Sequence, residues 1–364
     1  MDLNFKNTIF VIDGIVTALI VAILTKNQEI DCIIEYKKGL DKSNHQMHEW
    51  LLSNIKFRSL KKVTVSPTFF LLDKKNIIGS IKDLVAFRHE MDVYNLDKNK
   101  TYVGAITSSI IRSLQCDAKA IYYIDHGTGD YYSRMITKNS PSIKKIIKKY
   151  VFGILDLPNF TCDSRENGFT LCKMKGDKFR WLDFREFESD MIRQKLMRLR
   201  EFTLSNEKNT LFFAVSALHN KNGLDGDTTP FNEINFKLIE RNINLDETIF
   251  IKYHPTLQWA DNIKIDLIDK LKEKGYKAYD INEFFNNNEG IFMPAEAILK
   301  YCNFTKVVAN ESSALWNTAH CPEIIKIADY RDDLQWEKYV LSLNKLLGDK
   351  IINRSSICSA VDSK

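Results

Sequence analysis

Residues 118–131 read AKAIYYIDHGTGDY, a β-prone run that ends directly on Asp125 and opens into a turn carrying Gly127 and Gly129. The aromatic and branched side chains predict a strand, and the Asp-Gly-rich segment after it marks where the strand stops. Toward the N-terminus, runs of the same kind recur at 8–12, 31–36, 62–65 and 101–106. Longer patterns at 15–24, 45–54, 79–94 and 108–114 read as helices between them. This alternation predicts a parallel sheet with crossover helices, an α/β layer architecture.

A polar, helix-forming bridge over 185–209 precedes a second series of the same kind. Its strands are expected at 210–215, 248–253, 277–280, 306–309 and 323–327, and its helices at 230–241, 262–274, 294–302, 313–319 and 334–347. The expected fold is therefore α/β, with two Rossmann-like domains facing a cleft. They divide as residues 1–200 and 201–350, and 351–364 read as a loose tail. The chain has 364 residues, enough for each domain to bury its own core. No internal repeat, coiled coil or low-complexity tract interrupts it.

Hydrophobic residues make up 44% and charged residues 27%, which excludes a disordered chain and fits a globular one. The formal charge of +5 is too mild for a nucleic-acid footprint, so no nucleic-acid partner is expected. It suits an anionic substrate or an acidic membrane surface equally well. Seven cysteines at scattered spacings, without a CxxC pair, argue against a disulfide framework or a zinc site. A reducing cytoplasm fits that usage best. Residues 8–25 (TIFVIDGIVTALIVAILT) are long enough to suggest a membrane span. Asp13 interrupts them, and an ionised Asp in lipid costs about 2.5 kcal/mol or more, so strand, Gly turn and buried helix is the better reading. No secretory leader is expected, because a basic n-region and a small-residue cleavage site are both missing from the pattern.

Ligands of open parallel sheets bind at the carboxyl ends of the strands. Three polar clusters fall at such ends: Asp125-His126-Gly127-Thr128-Gly129-Asp130-Tyr131, then Lys252-Tyr253-His254-Pro255, then Asn310-Glu311-Ser312-Ser313. Asp125 is placed to take a proton from an attacking hydroxyl, with Gly127 and Gly129 letting a substrate approach the backbone. The plainer reading is a solvated turn. Pro255 holds the backbone of His254 extended, so the imidazole leaves a fixed strand terminus and can donate to a phosphate. Against that stands an ordinary surface or core histidine. Ser312 and Ser313, before the apolar run Ala314-Leu315-Trp316, resemble a helix cap, and a capped helix start is also an anion site.

Taken together, these clusters resemble the bacterial sialyltransferases and polysialyltransferases. That family carries an acidic-acidic-Gly motif in its front domain, a His-Pro motif in its back domain and a Ser-Ser or Ser-Thr motif beyond it. The order and approximate spacing match from Thr8 to Leu347. Residues 124–131 (IDHGTGDY) look like the Asp/Glu-Gly-x-Gly-x-Tyr form of the capsule polysialyltransferase group, and Met293-Pro294-Ala295-Glu296 resembles the family's Pro-x-Glu segment. His126 departs from the pattern, standing where a second acidic residue is usual, and this puts the subgroup and the acceptor in doubt.

The resemblance implies a GT-B arrangement with an acceptor-side N-terminal domain and a C-terminal domain that binds a CMP-activated sugar. Asp125 would act as base and His254, with Ser312 and Ser313, would stabilise the leaving phosphate. Glu296 would hold the ribose hydroxyls, and Pro255, Gly127 and Gly129 would shape the site. The implied donor is CMP-sialic acid or another CMP-activated sugar such as Kdo, pseudaminic or legionaminic acid, with no cofactor and no metal. The implied acceptor is an anionic or lipid-linked glycan in capsule or lipooligosaccharide synthesis. The implied location is the cytoplasm, with peripheral contact to the inner membrane. A non-catalytic glycan-binding subunit on the same scaffold is the alternative.

Two other segments carry their own readings. Asp225-Gly226-Asp227 has the form of a metal-binding Asp-x-Asp motif, but its neighbours Asn220, Asn222 and Gly223 favour a polar loop. Lys144, Lys145, Lys148 and Lys149 give a basic helix face, suited to an anionic polymer or membrane surface, or simply solvated.

Overall fold

The computed structural model describes residues 5–26, 28–37, 52–65, 82, 86, 89–105, 107–114, 120–125, 167–171, 179–214, 229–253, 261–286, 289–309, 325–329 and 355–356. Along 229–231, 234, 261–265, 325–329 and 355–356 the description is of the backbone alone. The chain divides into two compact units, Met1–Leu171 with Gly176–Glu188, and Cys172–Lys175 with Ser189–Lys364.

The first unit begins with β1 (Thr8–Ile12), α1 (Ile15–Leu24) and β2 (Glu29–Lys37). The apolar run that opens the sequence is thus a strand, an Asp13-Gly14 turn and a helix. Residues 17–23 of α1 are all buried, which explains why the helix is apolar on every side. No helix among the described residues is long and apolar enough to cross a membrane. Next come β3 (Lys56–Val65), β4 (Thr101–Ala105), α2 (Ser109–Leu114), β5 (Ala120–Ile124), β6 (Gly168–Thr170) and β7 (Arg180–Trp181). They form one parallel sheet in the order β3-β2-β1-β4-β5-β6-β7. Its core includes Val11, Ile33, Tyr102, Ile110, Ile111 and Leu114, where α2 packs on the centre of the sheet.

Three features of this sheet differ from the sequence expectation. β3 begins at Lys56 rather than residue 62, because its first half is charged and exposed. Edge strands tolerate and use such charges, and the Arg58–Asp31 ion pair fastens this one to β2. β6 and β7 are too short to leave a periodic signal. β6 is also unusually close to its neighbour: a Cβ at Gly168 would lie 2.3 Å from the Tyr123 carbonyl oxygen and 2.6 Å from the Phe179 ring. Gly168→Ala is therefore expected to destabilise the first unit by about 1–3 kcal/mol through overpacking. Thermal unfolding would measure it, and an unchanged midpoint would refute the steric argument.

In the second unit, α3 (Asp190–Lys195) and α4 (Met197–Leu204) occupy the segment read as a bridge, burying Ile192, Leu196 and Leu199. Then follow β8 (Asn209–Phe213), α5 (Thr229–Asn242), β9 (Thr248–Lys252), α6 (Asp261–Glu273) and β10 (Lys277–Asp280). After a 3-10 turn at Ile281–Phe284 come α7 (Glu289–Phe292), α8 (Ala295–Tyr301), β11 (Lys306–Ala309), β12 (Ile325–Asp329) and β13 (Ser355–Ser356). The sheet is again parallel, in the order β10-β9-β8-β11-β12-β13. Ser355–Ser356, within the segment expected as a tail, pair with Ala328–Asp329 of β12. The helices expected at 313–319 and 334–347 lie outside the described residues. An aromatic cluster of Phe202, Phe250, Tyr279, Phe284 and Phe304 fills the space between α4, the turn after β10 and the sheet.

Both sheets therefore have the Rossmann order, three strands winding one way from the first strand and the rest winding the other. The strand order reverses between β1 and β4 in one unit and between β8 and β11 in the other. Those two points are where each sheet leaves an opening at its carboxyl edge.

Candidate active site

In the first unit, register puts three carboxylates on one line. Ile12 pairs with Ile34, Phe10 with Val103, and Ala105 with Ile124. One residue further along, Asp13, Glu35 and Asp125 stand level at the carboxyl edge, on either side of the β1/β4 reversal. Adjacent strands lie about 4.8 Å apart, so the Asp13 and Asp125 backbones are roughly 10 Å from each other. Asp125 is 2% exposed, and its backbone N–H donates to the Phe169 carbonyl at 3.2 Å. β6 thus fixes the end of β5 from its far side.

Asp13 and Glu35 are held by the two turns that meet at the reversal. Thr17 Oγ1 donates to Asp13 Oδ1 at 3.0 Å, and Thr107 Oγ1 donates to Asp13 Oδ2 at 2.8 Å. Glu35, also 2% exposed, accepts from Ser108 Oγ at 2.6 Å, Ser109 N at 2.9 Å and Ile110 N at 3.1 Å. Its carboxylate thereby takes the free N–H groups that open α2. Burial pushes the Glu35 pKa up and the Asp13 charge pushes it further, against the lowering pull of Ser108, Ser109 and Ile110. The result is a rigid, carboxylate-bearing edge.

In the second unit, β9 ends at Lys252 and β11 at Ala309, on either side of β8. Phe213 pairs with Lys252, and Phe212 with Val308, so the two strand ends are level. In the sequence, His254-Pro255 follow the first of these ends and Asn310–Ser313 the second. His254, Pro255, Ser312 and Ser313 themselves lie outside the described residues, as do His126, Gly127, Gly129, Asp225, Asp227 and the lysines of 144–149. Glu296 is described: it sits in the first turn of α8, after Pro294, and is 4% exposed. Lys252 is 6% exposed, and burial pulls its pKa down to about 7, opposed by the charges of Asp280 and Glu296.

The sequence motifs thus account for Asp125 and Glu296 but miss Asp13, Glu35, Thr107 and Ser108. Asp13 stands out in the sequence as a break in an apolar run, whereas Glu35 is one of several charges in its strand. Their relation to Asp125 depends on strand pairing across distant segments, which no local pattern carries. Lys252 enters the sequence reading merely as a neighbour of His254, since nothing local tells a buried lysine from a solvated one.

No protein-family model matches the chain, and no curated protein matches it in sequence. Solved structures do match in shape. An α/β-galactoside α-2,3-sialyltransferase from the luminous marine bacterium Photobacterium phosphoreum is similar over 95% of this chain and 97% of its own, with a TM-score of 0.51 and 12% identity. A UGT transferase from Siraitia grosvenorii in complex with UDP covers 97% of this chain and 86% of its own, at a TM-score of 0.46 and 11% identity. The N-terminal domain of a trehalose-6-phosphate phosphatase from Candida albicans covers 97% and 87%, at 0.45 and 10%. Likeness over nearly the whole of both chains in the first case agrees with the two Rossmann-type sheets, and the fold is α/β of the GT-B class.

Proposed function

We propose that this protein is an inverting glycosyltransferase that transfers sialic acid, or a related nonulosonic acid, from a CMP-sugar to a hydroxyl of a glycan acceptor. The observation that carries the reading is Asp125, buried at the carboxyl end of β5 and level with the point where the first sheet reverses. A carboxylate there, within a fold shared with a sialyltransferase and followed in the sequence by Gly127 and Gly129, supports the role of general base.

In this reading the acceptor O–H gives its proton to Asp125 as its oxygen forms a bond to the anomeric carbon. The bond from that carbon to the CMP phosphate oxygen breaks in the same step, and CMP leaves with the electron pair. A single displacement inverts the configuration. His254, Ser312 and Ser313 donate to the departing phosphate, an electrostatic contribution that is commonly the largest in such sites. Pro255 keeps the His254 backbone extended, and Glu296 accepts from the ribose hydroxyls. The charge leaving with CMP is met by these fixed donors, so the scheme runs without a metal or a cofactor. Acceptors in capsule or lipooligosaccharide synthesis suit the reading, with the basic face at 144–149 as a point of contact for an anionic glycan or the inner membrane surface.

The deciding experiment supplies CMP-Neu5Ac, CMP-Kdo and CMP-activated pseudaminic and legionaminic acids, each with galactoside and oligosialic acceptors, and measures CMP release with and without EDTA. Acceptor-dependent release that EDTA leaves intact is the expected result. Turnover of a UDP-sugar alone, abolished by EDTA, would sink the proposal, as would glycan binding with no binding of CMP.

A further inference from the structure

A lysine buried at a strand end requires a reason, because an ammonium that loses its hydration costs free energy unless it is hydrogen-bonded. A Met side chain would fill the Lys252 position without that cost. The structure shows what the ammonium does instead. Its Nζ donates to the carbonyl of Tyr253 at 3.1 Å and makes a short hydrogen bond to the carbonyl of Ile291. These acceptors belong to different segments. Tyr253 leads directly into His254-Pro255, while Ile291 lies in α7, just before Pro294 opens the helix that carries Glu296.

The far side of α7 is already fixed by shape and charge. A Cβ on Gly290 would lie 2.7 Å from the Phe285 ring and 2.8 Å from Asn282 Oδ1, so the helix touches the turn after β10 with no room to spare. Lys195 Nζ binds Glu289 at 2.8 Å at the start of the same helix. Toward β9, the Lys252 ammonium supplies the polar tie. The charges that face it are Asp280, at the end of β10, and Glu296, in the first turn of α8.

We propose that Lys252 is a positioning residue for the donor half of the site, its ammonium tying the end of β9, which precedes His254 in the sequence, to α7, which leads into the helix that carries Glu296. The inference rests on the CMP-sugar reading for its functional meaning, and on the geometry alone for the tie itself. Charge-assisted hydrogen bonds are the stronger kind, so the tie is tightest while Lys252 is protonated.

The test compares the full-length protein with Lys252→Met, which keeps the volume and removes the ammonium. CMP affinity is measured by calorimetry and amide protection by hydrogen exchange over residues 291–297, between about pH 6 and 8.5. At the acidic end the variant is expected to bind CMP roughly tenfold or more weakly and to lose protection over 291–297. Lys252→Met and Glu296→Gln combined should cost less than the sum of the two alone, because they share one interaction. Wild-type-like CMP affinity together with unchanged protection in Lys252→Met would overturn the proposal. Should that variant not fold, Lys252→Leu takes its place, and wild-type-like CMP affinity with unchanged protection over 291–297 in it would overturn the proposal equally. A wild-type chain that does not bind CMP refutes the donor reading by itself, and the exchange comparison still decides the tie.

Discussion

Asp125→Asn is expected to lower kcat by roughly 10²–10⁴-fold, the range over which a positioned general base contributes. Asn has the shape of Asp and cannot accept the acceptor's proton, so KM for the CMP-sugar should change little. The backbone N–H of Asp125 donates to the Phe169 carbonyl in either variant, so the end of β5 keeps that bond. Steady-state CMP release and a thermal unfolding curve together check this. Asp125→Asn retaining more than about a tenth of wild-type turnover on a donor the wild type accepts would remove Asp125 from the mechanism.

The second large effect is on stability. Glu35→Ala leaves the Ser108 hydroxyl and the Ser109 and Ile110 N–H groups without their acceptor in a buried place. Each orphaned donor costs about 1–3 kcal/mol, so a loss of about 3 kcal/mol or more is expected. For a unit of this size that lowers the unfolding midpoint by roughly 6–12 °C. The sign of the pH dependence follows from the direction of the shift. Folding raises the Glu35 pKa above its ordinary 4.5, so its contribution is fully present below that value and is lost as pH rises through the folded one. Glu35→Gln has no proton to lose and should flatten that component of the stability profile. An identical pH slope in Glu35→Gln and wild type would be evidence that the residue is not held in this way.

Much of the strand content was legible because β-prone runs and amphipathic helices alternate with clear breaks. The segment 277–280 shows how clear: apolar and polar positions and the Gly275 before it fix the strand within its true bounds. Legibility failed at the margins. Residues 56–61 fall outside the strand expected at 62–65, since an edge strand with one partner needs no apolar face. Gly168–Thr170 and Arg180–Trp181 are strands through their partners alone, being too short for any period to show.

The same division runs through the site. Asp125, and the Pro294 turn that carries Glu296, stand out in the sequence, because a strand that stops on a carboxylate and a proline before a helix are local signals. By itself the sequence determined the two α/β series, the strand ends on which the motifs fall, and hence the residue types available for acid–base chemistry and phosphate binding. Tertiary structure decided which of those ends are neighbours. It placed Asp13, Glu35 and Asp125 in one row and buried Lys252 between two carbonyls from separate segments. The reason is physical: strand order, register and burial are set by long-range pairing and packing, whose free energy no local stretch of chain contains.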